Sequence, residues 1–350
     1  MENPIQDMLS AQQRLPGDTL IAKSPIMVVF KGRRMRAVWS RVWMRPVHET
    51  DHEFYLALLR RALGLDWLRV EESKPESQRH RIAAWFEEMD RERESSRPRS
   101  GAAHVWSSEP TGGVTELLTL GRDLYDLSQT NQLPTKVMDR LRNTREYQGA
   151  RYEIAVAGAF ARAGFRIIWT KPGQDKRCEF VAEHSGLGER IAVEAKSRRR
   201  EDVLHEPVAG KPSKDFDVEI ARLIRDAEEQ LPTDIAGIVC IDLNLPPEHA
   251  MFTSDAGLVE SLKSVLDRFP DPTPEKPSVL TATFFTNFAW HYQEGRRSGK
   301  SSVGAVIPRY ARVAVRRGAS LALLDKALHE HADVPNVNPT PNEMASLKRS

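Results

Sequence analysis

Cys178-Glu-Phe-Val-Ala-Glu-His184, then Ser185-Gly-Leu-Gly188, then Glu189-Arg-Ile-Ala-Val-Glu-Ala-Lys-Ser197 run on without a break. The outer segments alternate apolar and polar side chains with a period of two, and the inner four residues are turn chemistry. The stretch therefore predicts a β-hairpin, with strands at Cys178 to His184 and Arg190 to Ser197. If the turn is centred between Gly186 and Leu187, paired residue numbers add to 373, and Glu179 lies across from Glu194. Alternation puts Lys196 on the face of Glu194, and Glu179 with them. Phe180, Ala182, Ile191, Val193 and Ala195 make up the opposite, apolar face.

Moving outward, residues 148–163 carry Ile154, Ala155, Ala157, Gly158, Ala159 and Ala161, a helix with small residues around most of its surface that must pack closely on a neighbour. Gly164 ends it, and Phe165 to Thr170 is β-branched and aromatic, a further strand. After the hairpin a helix is expected at 214–231, stopped by Pro232, and then a buried strand from Ile235 to Leu243. The order helix, strand, strand, strand, helix, strand gives an α/β class. Helices at 114–128 and 134–145 precede it.

An α+β module is expected before residue 113. Pro25 to Phe30 and Met35 to Arg45 read as strands, and 51–64 and 77–92 as helices. The second strand places Trp39, Arg41, Trp43 and Arg45 on one face, a low-ranking candidate for stacking and phosphate contact. Residues 93–113 mix Ser, Pro, Gly and charge and read as a linker. The division is 1–112 for this module and linker, 113–315 for the α/β domain, and 316–350 for a C-terminal helix and a disordered tail.

The 350 residues are 40% hydrophobic and 29% charged with a net charge of +2, which excludes collagen-like and wholly disordered classes. No apolar run is long enough for a transmembrane helix, and the amino end lacks a signal peptide. Cys178 and Cys240 are too few for a disulfide framework and lack zinc-motif spacing, so a cytoplasmic setting is expected. Basic residues cluster locally, as Lys31, Arg33, Arg34, Arg36, Arg41 and Arg45, and as Lys196-Ser-Arg198-Arg199-Arg200. Such clusters suit a phosphate-facing surface or an ordinary solvated one.

Two carboxylates facing each other across a hairpin repel, and a divalent ion between them removes the conflict. Hard oxygen ligands suit Mg²⁺ or Mn²⁺, which commonly takes one or two carboxylates plus water and substrate phosphate. Such an ion polarises a phosphodiester and acidifies a bound water. Lys196, next on that face, could orient or deprotonate the water or neutralise developing charge. Glu153 on the preceding helix could touch these ligands or add one for a second ion. The acid-x-Lys triplet occurs twice, and Glu72-Ser-Lys74, ahead of a proline and off any strand, shows that the triplet alone carries nothing. What distinguishes Glu194-Ala-Lys196 is the strand, the acid opposite and the helix before.

With Tyr152-Glu153-Ile-Ala-Val-Ala as an acidic first helix, Glu179 as first acid and Val193-Glu194-Ala195-Lys196 as second motif, residues 145–245 resemble the PD-(D/E)XK nuclease superfamily. The resemblance implies a restriction-endonuclease-like core, α-β-β-β-α-β, with a central mixed sheet flanked by helices. It also implies that Glu179, Glu194 and the Ala195 carbonyl bind the metal and that Lys196 activates water. Cys178-Glu179 replaces the family's usual Pro-Asp, so Asp175 in the preceding turn is the alternative first ligand. The expected function is metal-dependent hydrolysis of phosphodiester bonds, of DNA because the family mostly cuts DNA, in restriction, phage defence or repair. Arg198, Arg199 and Arg200 are the candidate nucleic-acid contacts, and a homodimer or partner protein is compatible. The competing expectation is an inactive nucleic-acid- or protein-binding module on the same fold. No nucleotide cofactor is expected: Gly299-Lys300-Ser301 lacks the earlier glycine of a P-loop, and a strand follows it. No zinc-hydrolase or serine-hydrolase motif is present.

Overall fold

Two tight turns near the amino end, at Lys31-Gly32 and Trp39-Ser40, fold residues 27–46 into a three-stranded antiparallel meander: β1 (Met27–Phe30), β2 (Arg33–Val38) and β3 (Arg41–Pro46). The computed structural model describes residues 27–96, 109–130, 133–170, 178–198, 216–246, 257–288, 290–292, 302–315 and 317–336. The expected single strand from Met35 to Arg45 is thus a hairpin. Trp39 occupies the left-handed region at φ 50°, a conformation that a bulky residue seldom adopts and that no Asn-Gly or Asp-Gly signals here. The basic run is not one solvated face. Arg34 and Arg36 are fully buried; Arg34 donates to the Glu49 carbonyl at 2.9 Å, and Arg36 lies 2.6 Å from the Asp51 carboxylate and over the Phe54 ring. Arg41 is exposed and Trp43 half-buried.

Next come α1 (Asp51–Leu63), α2 (Leu65–Glu72) and α3 (Arg81–Ser95). A capping box starts α1: the Thr50 side chain accepts from the Glu53 amide, and the Glu53 side chain from the Thr50 amide. Gly64, at φ 91°, bends the chain between α1 and α2, so the expected helix over 51–64 ends where its glycine stands. Then follow α4 (Gly112–Thr130), α5 (Thr135–Arg142) and α6 (Tyr147–Arg162).

The larger sheet has six strands in the order β4 (Arg166–Trp169), β5 (Phe180–His184), β6 (Glu189–Ser197), β7 (Ala236–Asp242), β8 (Leu280–Asn287) and β9 (Ser302–Val306). It is mixed: β4, β5 and β6 pair antiparallel, β6, β7 and β8 parallel, and β9 antiparallel to β8. A parallel pair needs a crossover, and α7 (Phe216–Gln230) and α8 (Gly257–Leu266) lie between its strands in sequence. The hairpin pairs run from Phe180↔Val193 to His184↔Glu189, the register of the residue arithmetic.

Each face of this sheet is covered. Ile191, Val193 and Ala195 look towards α6, and Ala192 packs with Ile220, Ala221 and Ile224 of α7. The small face of α6 lies along α4, and at Gly158 a Cβ would stand 2.5 Å from Asp123 Oδ1. Leu59, Leu63, Trp85 and Phe86 belong to the same hydrophobic cluster as Leu117, Leu120, Tyr152 and Phe160. The expected boundary at 112/113 therefore runs through one continuous core. Helix α9 (Ala322–His329) joins that cluster through Leu324 and Leu328.

Candidate active site

The carboxylate of Glu194 sits on the central strand β6, with no solvent exposure. A buried charge is costly unless bonded, and two groups bond this one. The Lys196 ammonium lies 2.5 Å from Oε1, and the main-chain N–H of Glu179 donates to Oε2 at 3.1 Å. Glu179 thus directs its own amide at the carboxylate of the other acid, and that amide also reaches the Val193 carbonyl at 3.0 Å. Lys196 Nζ further donates to Gln230 Oε1, at the end of α7, at 3.2 Å.

Glu179 stands one residue before β5, half-buried. Burial pushes its carboxyl up to about 8, helped by the negative charges of Glu153 and Glu194 and opposed by Lys196 and Arg140. Burial likewise raises Glu194 to about 7 against the pull of Lys196. Without a further cation, the pair holds protons near neutrality. The Cys178 thiol is pushed up to about 11 by burial and by Glu194, so it is no nucleophile at physiological pH.

Glu153 reaches the cluster from α6, buried, with both oxygens occupied: Arg140 Nη1 donates to Oε2 at 2.6 Å and Nη2 to Oε1 at 2.7 Å. Carbonyls two residues apart on a strand point to the same edge. The Ala195 carbonyl therefore faces the edge on which the Val193 carbonyl meets Glu179, just beyond the first residue of β5.

The structure thus brings Glu153, Glu179, Glu194 and Lys196 together. Arg198 is elsewhere. It is buried, its Nε donates to Glu219 at 2.7 Å, and its guanidinium lies over Phe216. The expected solvent-facing phosphate contact at 198 is corrected to an internal ion pair that ties the end of β6 to α7. Arg199, Arg200 and the alternative ligand Asp175 lie outside the described residues. Among the described residues, no three Asp, Glu, His or Cys side chains are grouped so as to hold a metal ion.

Sequence reasoning missed a second polar cluster at the carboxyl ends of β7 and β8. Arg151 donates to Glu116 at 2.8 Å and to Asp242 at 3.1 Å. His291 bridges Glu116 and Asn244, each at 3.0 Å, and Asn244 reaches Gln148 and the Arg198 carbonyl. All are buried, and burial raises Asp242 and lowers His291. Partners are met throughout, as an internal brace requires. Its only trace in the sequence is an acid closing the apolar run Ile-Val-Cys-Ile-Asp242 and an arginine in a small-residue helix.

In comparisons with known proteins, no family model, no curated protein and no solved structure matches the chain. Among the described residues, no helix is long and apolar enough to cross a membrane.

Proposed function

We propose that the chain is a divalent-metal-dependent nuclease that hydrolyses phosphodiester bonds, of DNA in the first instance, on a restriction-endonuclease-like core. The observation that carries the reading is the joining of Glu179 and Glu194 through the Glu179 amide, with the Lys196 ammonium 2.5 Å from Glu194. The helix, three strands, helix, strand succession from α6 to β7 and the family resemblance of its motifs point the same way.

The donor set fits a hard divalent ion. Two carboxylates held up by burial and mutual repulsion gain from a cation, and Mg²⁺ asks for no more than one or two from the protein. Glu179, Glu194 and the Ala195 carbonyl would hold it. When bound it would polarise the phosphodiester and acidify a water. Lys196 has three N–H donors, of which Glu194 and Gln230 engage two. The third is left for a phosphate oxygen, where it offsets the charge that builds as water attacks. Gln230 and Glu194 fix where that ammonium points.

Plasmid and single-stranded DNA incubated with Mg²⁺, Mn²⁺ or EDTA test the reading. Wild type should cut only with metal. Lys196→Ala should lose cleavage by roughly 10²–10⁴-fold yet keep the ion, whereas Glu194→Ala should lose both. Wild type that binds DNA without metal and cuts nothing would favour the inactive binding module, a reading supported by the lack of a third carboxylate ligand among the described residues.

A further inference from the structure

Glu153 is the third carboxylate of the cluster, near enough to raise Glu179, yet both its oxygens are taken by one guanidinium. That guanidinium belongs to Arg140 of α5, a helix seated on the core through Val137, Met138 and Leu141. The fork is bidentate, the geometry in which arginine binds a carboxylate best. Helix α6 leaves room for it: a Cβ on Gly149, one turn before Glu153, would stand 3.4 Å from Arg140 Nη2. The Nε side of the same group lies 3.8 Å from Glu146. Arg140 is thus set among carboxylates from two elements and keeps a quarter of its side chain in solvent.

We infer that Arg140 stands where a second metal ion would otherwise sit, withholding Glu153 from coordination and holding the site to one divalent ion. The inference rests on the metal-dependent reading above. Charge balance supports it. With all three carboxylates ionised, Arg140 and Lys196 leave a single net negative charge. One divalent ion and one phosphodiester bring the site to neutrality, and a second ion would leave it strongly positive. Glu153 then acts as a positioning residue: with Arg140 it braces α5 against α6 beside Glu179 and meets no metal.

The test reads binding, not turnover. Mn²⁺ titrated calorimetrically into the full-length protein should give one ion per chain. Arg140→Met should give two, because Glu153 is released. Arg140→Met/Glu153→Gln should return to one, with a Kd within about tenfold of wild type, because a neutral pair replaces a neutral pair. The double variant keeps the inference testable should Arg140→Met fail to fold. Two ions on wild type, one on folded Arg140→Met, or a double variant that loses the ion would each overturn the inference while leaving the metal-dependent reading standing. A wild type that binds no ion would overturn both.

Discussion

Loading a divalent ion onto Glu179 and Glu194 should expel the protons that burial keeps there. The two carboxyls stand at about 8 and about 7, against 4.5 for an ordinary glutamate. At pH 6.5 Glu179 is then almost wholly protonated and Glu194 about three-quarters so, and an ion needing both as carboxylates releases roughly 1.7 protons. An ordinary pair would release almost none. The same competition weakens apparent affinity by about 10² between pH 9 and pH 6.5. Titration calorimetry of Mg²⁺ or Mn²⁺ at pH 6.5, in buffers of different ionisation enthalpy, reads the proton count as the slope of observed heat against buffer enthalpy. An ion bound with a flat slope would refute the reasoning, since the ligands would have been ionised beforehand. The sign for stability follows from the same shifts. Both carboxyls are raised in the native state, so between about pH 4.5 and 8 it keeps protons that the unfolded chain has lost. Metal-free stability should therefore fall as pH rises across that window and level off above it, and a bound ion should flatten the fall.

Two further outcomes concern the scaffold. Gly158→Ala should drive a methyl to within 2.5 Å of Asp123 Oδ1, where Asp123 is pinned by Arg162 at 2.7 Å. The overpacking should cost roughly 1–3 kcal/mol, read as a lower thermal midpoint with the metal stoichiometry unchanged; an unchanged midpoint would mean that α4 and α6 can move apart. Arg198→Ala should strand Glu219 in a buried setting and lower stability, while the salt dependence of DNA binding stays that of wild type. A drop of about 0.9 in that slope would mean that Arg198 leaves Glu219 for a phosphate.

The hairpin and the elements around it were legible because strand alternation and turn chemistry are local. Phe180, Ala182, Ile191 and Val193 announce one buried face, and Ser185 to Gly188 announce the reversal, so the register followed from counting. The turn at Trp39-Ser40 was not legible, because nothing in those two residues favours φ 50° until the chain around them imposes it. Arg34 and Arg36 read as surface charge because Glu49 and Asp51, which satisfy them, lie across the hairpin and at the start of the next helix. Arg198 misled for the same reason, its partner Glu219 being 21 residues on. Strand β8, buried along its whole length, has no alternation to reveal it. At the site, the acids and the lysine were visible by spacing. Gln230 and Arg140 were not, because a contact made by a helix across a sheet leaves no periodic mark.

The continuous core that runs from α1 and α3 through α4 to α6 bears on how such a protein can be inherited. A catalytic unit with its own core can be copied, fused and shuffled among other chains. Here the sheet with its acids cannot leave without uncovering Leu117, Leu120 and Tyr152, which meet Trp85 and Phe86 from the amino-terminal half. Any descendant that borrows the site must therefore borrow the helices ahead of it or evolve replacements. Diversification is left to the loops and to the outer surface of the three-stranded sheet, where Phe30 and Met44 already face solvent.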